Sequence, residues 1–317
     1  MNLFQHRRAA LSGALLFFTI CTALPGMAQL PADQLKTDIS GWMRYLTEDR
    51  LRGRVEGTPE NREVTDSIAR YFREIGLQPF GSDQFKQTFY THPDDSTITV
   101  SNVIAWLPGT EQEDEFILIS AHFDHVQIGF YDRKDKIYNG ANDNASGTSV
   151  MLAMARQLAL TAPYRRSILF CAFNAEEAGL VGSQYFAERV DADKIVAGIN
   201  LEMLGYPLFG RNTLMLTGMG RSNLHGILKK GLSLAGVKLR RERGDLFERS
   251  DNYSLAQKGI PAHTLMASDD REKCYHRPCD ELERVDIDNM TSLCRAILTA
   301  INGLIEGVDT PARIQLH

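Results

Sequence analysis

Five short segments carry side chains able to ligate a metal ion. HFDH holds His122 and Asp124, GANDNASG holds Asp143, AEEAGLVGS holds Glu176 and Glu177, NLEMLG holds Glu202, and YHRPCD holds His276. Zinc accepts imidazole nitrogen and carboxylate oxygen, and two ions some 3.5–4 Å apart commonly share one bridging carboxylate. Two histidines and three carboxylates fill that scheme. Asp143 is the natural bridge, because a carboxylate in a Gly/Asn-rich turn ahead of a helix is held by the backbone with both oxygens free. Each fragment has a plainer reading alone: His122 as a hydrogen-bonded structural residue, Asp143 as a helix cap, Glu176-Glu177 as a solvated helix start. Their joint occurrence in one order favours the metal.

The elements around these segments alternate. Apolar strands are expected at Phe116 to Ser120, Ser167 to Phe173, Ile195 to Leu201 and Ala262 to Met266, with alternating ones at Phe85 to Tyr90 and Ile98 to Leu107 and one more strand at Thr213 to Thr217. Helical spacing runs from Pro31 to Leu51, Thr58 to Gly76, Ser146 to Leu160, Leu180 to Val190, Ser222 to Ala235 and Asp286 to Ile305. Strands alternating with helices predict a layered α/β domain, with polar residues at the carboxyl ends of strands, where open sheets place their sites. Some residues fall outside this scheme. His125 reads as a loop residue, His263 as a satisfied core histidine in a strand, and Asp251 as an exposed turn acid or a support of the site.

Arg7 and Arg8 precede the apolar run Ala9 to Ile20, and Gly26 and Ala28 follow, as in a secretory signal peptide. The run is shorter than the about 20 residues a membrane span needs, so no stable insertion is expected once it is removed. Residues 1–28 are thus assigned to the signal and residues 29–317 to one large domain in the periplasm or outside the cell. The formal charge of −5 becomes more negative when the two arginines leave, and no basic block argues for nucleic acid. Cys274 and Cys279 flank one short loop and are the plausible disulfide pair; Cys171 and Cys294 read as packing.

LRGRVEGTPEN, HFDH, GANDNASG, AEEAGLVGS, NLEMLG and YHRPCD together resemble the secreted co-catalytic two-zinc aminopeptidases, the bacterial leucyl aminopeptidase and aminopeptidase Y type. The likeness runs from about Leu51 to the final helix. It implies a single domain with a central mixed, mostly parallel twisted sheet flanked by helices. It also implies an exopeptidase that removes N-terminal amino acids from peptides with a free N-terminus by means of a metal-activated water. Carried onto this chain, Asp143 would bridge two Zn2+ ions, His122 and Glu202 would complete one, and Glu177 and His276 the other. Glu176 would be the general base, Asp124 the carboxylate that holds a ligating imidazole, and Tyr275 a hydrogen-bond donor to the substrate's developing oxyanion. Two departures stand out: Glu202 where the family commonly has Asp, and Ser250-Asp251-Asn252 where it often has SDH. The resemblance also admits a glutaminyl cyclase or a carboxypeptidase of related fold, and, from another class, a peptide-binding domain that has lost catalysis.

Overall fold

Side chains along a strand alternate between faces, and within Gln112–His122 both faces are apolar from Phe116 to Ile119. Ile117, Ile119 and Ala121 join one hydrophobic core, Phe116 and Leu118 a second. Such a strand belongs inside a sheet covered on both sides. The computed structural model, which describes residues 32–81, 84–92, 95–126 and 135–316, has that architecture. The expected signal segment lies outside the described residues.

The strands are β1 (Gln78–Pro79), β2 (Lys86–His92), β3 (Asp95–Leu107), β4 (Gln112–His122), β5 (Arg166–Phe173), β6 (Ile195–Glu202), β7 (Thr213–Leu216), β8 (Lys238–Arg241) and β9 (Ala262–Met266). They form one sheet in the order β1-β3-β5-β4-β6-β9-β7-β8, with β2 also paired to β3. The sheet is mixed, as expected. Its central run β5-β4-β6-β9 is parallel, whereas β3 on one side and β7 on the other join it antiparallel. In-register parallel pairing brings the carboxyl ends of β4, β5, β6 and β9 to one edge, and those ends carry His122, Asn174-Ala175-Glu176-Glu177, Glu202 and Ala267-Ser268.

Helices cover both faces. α1 (Ala32–Leu46), α2 (Pro59–Glu74), α3 (Gly147–Thr161), α5 (Leu224–Leu234) and α7 (Ile287–Ile305) contribute to the larger core, which reaches from Leu35 to Ile305. On the other face α4 (Val181–Ala187) and α6 (Asn252–Ala256) supply Phe186, Ala187 and Leu255 to the smaller one. Local signals account for the helix starts. Thr58 accepts a hydrogen bond from the Asn61 amide at 3.2 Å with Pro59 in the first turn, and Asp286 caps α7 through the Asn289 amide. The first expected helix ends at Leu46 rather than Leu51, and a separate 3-10 turn, Asp49–Arg54, follows, with Arg52 and Gly53 left-handed. Two strands were not legible: β1 is two residues long, and β8 reads Lys-Leu-Arg-Arg, an edge strand whose charges mask any alternation.

Candidate metal centre

The Asp143 turn is built by its neighbours. Gly140 has φ 55°, a conformation suited to glycine, and the chain then passes directly into α3. The Asn142 and Asp143 amides donate to the two oxygens of Asp280 at 2.8 and 3.0 Å. Asn142 Oδ1 accepts the Gly205 and Tyr206 amides, and Asn144 Oδ1 accepts those of Gly147 and Met203, while Asn144 Nδ2 donates to the Leu201 carbonyl. The two asparagines therefore stitch the Asp143 turn to the segment that carries Glu202. With the amides so occupied, the Asp143 carboxylate, 2% exposed, projects into the site.

Around it stand the other expected residues. His122 Nε2 lies 3.5 Å from Asp143 Oδ1 and 4.0 Å from Glu176 Oε2. His276 Nε2 lies 3.1 Å from both Asp143 Oδ2 and Glu177 Oε1. Two groups emerge, His122 with Asp143 and Glu202, and His125 with Asp143, Glu177 and His276, each with ligand atoms within 4.8 Å of one another. Asp143 belongs to both. The buried atoms His122 Nε2 and Glu202 Oε2 have no hydrogen-bond partner among the described residues. Orphaned polar atoms are costly to bury, so a donor set of this composition and spacing fits a divalent metal. His276 is held in a loop closed by the Cys274–Cys279 disulfide, as expected, and its ring stacks on Tyr275 with centroids 3.9 Å apart. Ala175, Met203 and His276 have φ of 58°, 49° and 52°, so three residues at or beside ligand positions hold a left-handed backbone that side chains rarely adopt.

Charge is concentrated here. Burial pushes the Glu202 carboxyl to about 7 and the Glu176 carboxyl well above the usual range, with His122 opposing both. Burial also disfavours ionised Asp143, yet His122 and His276 prevail and hold its carboxyl low. One buried cation offsets this load. Arg54, fully buried, donates from its guanidinium to the carbonyls of Leu46, Phe123, Asn139 and Gly140, tying the entry segment to the loops on either side of the centre.

Three expectations change. His125 lies in a loop as expected, but the residue is fully buried there, and its Nδ1 stands 3.1 Å from Glu177 Oε1. Asp251 is not an exposed turn acid, being fully buried with a carboxyl that burial raises to about 6. Asp124 touches His122 differently from the expectation. Its backbone carbonyl is 3.2 Å from His122 Nδ1 and its carboxylate 3.7 Å away, while that carboxylate accepts the amides of Glu176 and Glu177 at 3.2 Å each. Asp124 thus positions the Glu176-Glu177 backbone as well as facing the ring. His263 is the satisfied core histidine expected, bonded to Ser222 and the Thr217 carbonyl at 2.7 Å. Asp280, Arg54 and the Asn142/Asn144 pair were missed as supports, although the Asn-Asp-Asn pattern itself was a visible signal.

A layered α/β fold with imidazole and carboxylate groups gathered at the carboxyl edge of its parallel strands defines the architectural class. Residues 102–301 match the model of Peptidase family M28, and the chain belongs to that family. It is similar to aminopeptidase YwaD of Bacillus subtilis, 27% identical over 218 residues covering 66% of this chain and 45% of that one. The chain spans less than half the length of that relative and of others like it. Among solved structures, BSAP, a zinc aminopeptidase from Bacillus subtilis, superposes with a TM-score of 0.69 at 18% identity, covering 91% of this chain and 99% of that one. Porphyromonas gingivalis glutaminyl cyclase gives 0.70 at 20% identity, covering 88% and 100%. At these identities the two structures speak for the fold.

Proposed function

We propose that the protein is an exported zinc-dependent exopeptidase that removes N-terminal residues from peptides, with two ions bridged by Asp143. The observation that carries the reading is the sharing of Asp143 between two potential ligand groups on opposite sides of its carboxylate. His122 and Glu202 would hold one ion, and Glu177 and His276 the other. When bound, zinc polarises a scissile carbonyl and lowers the pKa of water. Glu176 lines the same cleft, of about 390 Å³, as Asp143, Glu177, Glu202 and Tyr275. It binds no neighbour in the manner of Glu177, so it is free to take the proton of an attacking water and pass it to the departing amine. Asp124 accepts the Glu176 backbone amide and so supports its position, and Tyr275, which lines the same cleft, would donate to the carbonyl oxygen as charge develops on it.

Export is supported by the Arg7-Arg8 apolar leader pattern and by the Cys274–Cys279 disulfide, which persists in oxidising compartments. No helix among the described residues is long and apolar enough to cross a membrane. The test is release of free amino acid from an unblocked peptide by the purified chain. N-acetylation of the peptide should abolish release, and blocking its carboxyl end should not; the reverse pattern would identify a carboxypeptidase, and pyroglutamate from Gln-initial peptides a cyclase.

A further inference from the structure

We propose that His125 is itself a metal ligand, so that the ion at His276, Glu177 and Asp143 is enclosed by four protein groups while the ion at His122, Asp143 and Glu202 keeps an open position. This rests on the two-zinc reading above and goes beyond it by making the two ions unequal. A tetrahedral zinc with bonds of ~2.0–2.1 Å has its ligand atoms separated by ~3.3 Å. The separations around this group are 3.1 Å from His276 Nε2 to Asp143 Oδ2, 3.1 Å from His276 Nε2 to Glu177 Oε1, 3.1 Å from His125 Nδ1 to Glu177 Oε1, and 3.9 Å from His125 Nδ1 to Asp143 Oδ2. Three of these separations match the zinc spacing and the fourth is longer, and all four ligand atoms lie within 4.8 Å of one another.

The surroundings are shaped for this ring. His125 is fully buried and its Nε2 has no hydrogen-bond partner among the described residues, where its polar engagement is on the Nδ1 edge. A Cβ added to Gly140 would lie 2.5 Å from the ring, so the turn that presents Asp143 leaves just enough room for it. The inequality also agrees with the proton-transfer side of the site: Glu176 lies 4.0 Å from His122 Nε2, next to the ion that would have three protein ligands. Closed four-ligand zinc sites are structural in character, and three-ligand sites leave room for water and substrate.

Metal content and coordination test this without reference to turnover. The zinc-loaded, full-length wild type should hold two ions, and its zinc-edge X-ray absorption should report three imidazoles over the pair. His125→Ala should retain its fold by circular dichroism, lose one ion or bind it at least ~100-fold more weakly in competition with a chromophoric chelator, and shift the visible spectrum of the cobalt-substituted protein. Retention of both ions with unchanged affinity and cobalt spectrum would overturn the inference. If His125→Ala does not fold, the wild-type spectrum decides, two imidazoles overturning it and three supporting it. A wild type that binds no zinc and hydrolyses no peptide would instead bring down the functional reading on which it rests.

Discussion

His276 and Asp143, separated by 133 residues in sequence, meet at 3.1 Å through Nε2 and Oδ2. That contact joins the turn leading into α3 to the loop after β9, and it places an imidazole against a carboxylate that also faces His122. Removing the charge that such a cluster is built around should loosen both segments together. Chelation is therefore expected to abolish peptide hydrolysis and to lower Tm, since an ion bound only by the native state stabilises it by mass action. Excess zinc should restore both. A Tm indifferent to chelator would contradict the prediction.

Glu176→Gln keeps the volume of the side chain and removes its capacity to accept a proton. Hydrolysis should fall by about 10²–10⁴-fold, with zinc content retained because Glu176 belongs to neither ligand group. Steady-state kinetics with metal analysis on the same preparation checks both halves. Loss of metal together with activity would reassign Glu176 to a ligand role.

Folding stability of the metal-free chain should fall as pH rises. Burial raises the carboxyl of Glu202 to about 7 and those of Asp251 and Asp280 to about 6. The folded chain then retains protons the unfolded chain has already released, and stability present at low pH is lost through that window. His276 acts in the same direction: burial opposes its charge, but bonds to Asp143 and Glu177 raise it to about 10, so its contribution disappears as pH climbs towards that value. Zinc needs Glu202 and His276 deprotonated. The Tm gap between zinc-loaded and chelated protein should therefore widen from about pH 5.5 to about pH 8.5, readable by calorimetry; a gap constant across that range would refute it.

Arg54→Met removes the guanidinium donor from four buried carbonyl oxygens, of which that of Gly140 keeps the Ala145 amide. A loss of about 3 kcal/mol or more is expected in denaturant unfolding, accompanied by weaker zinc binding because Phe123 and Gly140 flank ligand-bearing segments. Arg54→Lys should recover little, since a single ammonium cannot span the four acceptors. Full recovery by lysine would show that charge alone matters.

Replacing Cys274 and Cys279 with serine opens a short loop. The chain-entropy cost is about 2 kcal/mol, and the loss should fall on the ion held by His276 before the one held by His122. Titration with a chelator, comparing the first and second ions released, distinguishes this from a uniform weakening.

Much of the layered fold was legible because its strands are short, apolar on both faces and bounded by turns. Ala262–Met266 and Ile195–Glu202 follow the periodicity to within a residue. Segments that bear ligand side chains were visible as polar residues at the ends of apolar runs. The supporting shell was not. Asp280, Arg54, Asp251 and His125 act through burial, and burial is set by tertiary packing that one-dimensional spacing does not encode. A histidine one position past Asp124 looks like loop until the Gly140 turn is seen folded over it. Glu202 was identified, yet what its extra methylene does depends on the backbone reversal at Met203, where φ is 49°.

The order β4-β6-β9 at the heart of the sheet has a consequence for biosynthesis. A ribosome that has reached Glu202 has already delivered His122, Asp143 and Glu177, but the last ligand arrives only after β9 has slotted in beside β6. Until then the nascent polypeptide carries the His122, Asp143 and Glu202 group complete and the Glu177 side still lacking His276. Truncated products ending before residue 270 should consequently accumulate as protease-sensitive species, however much zinc surrounds them.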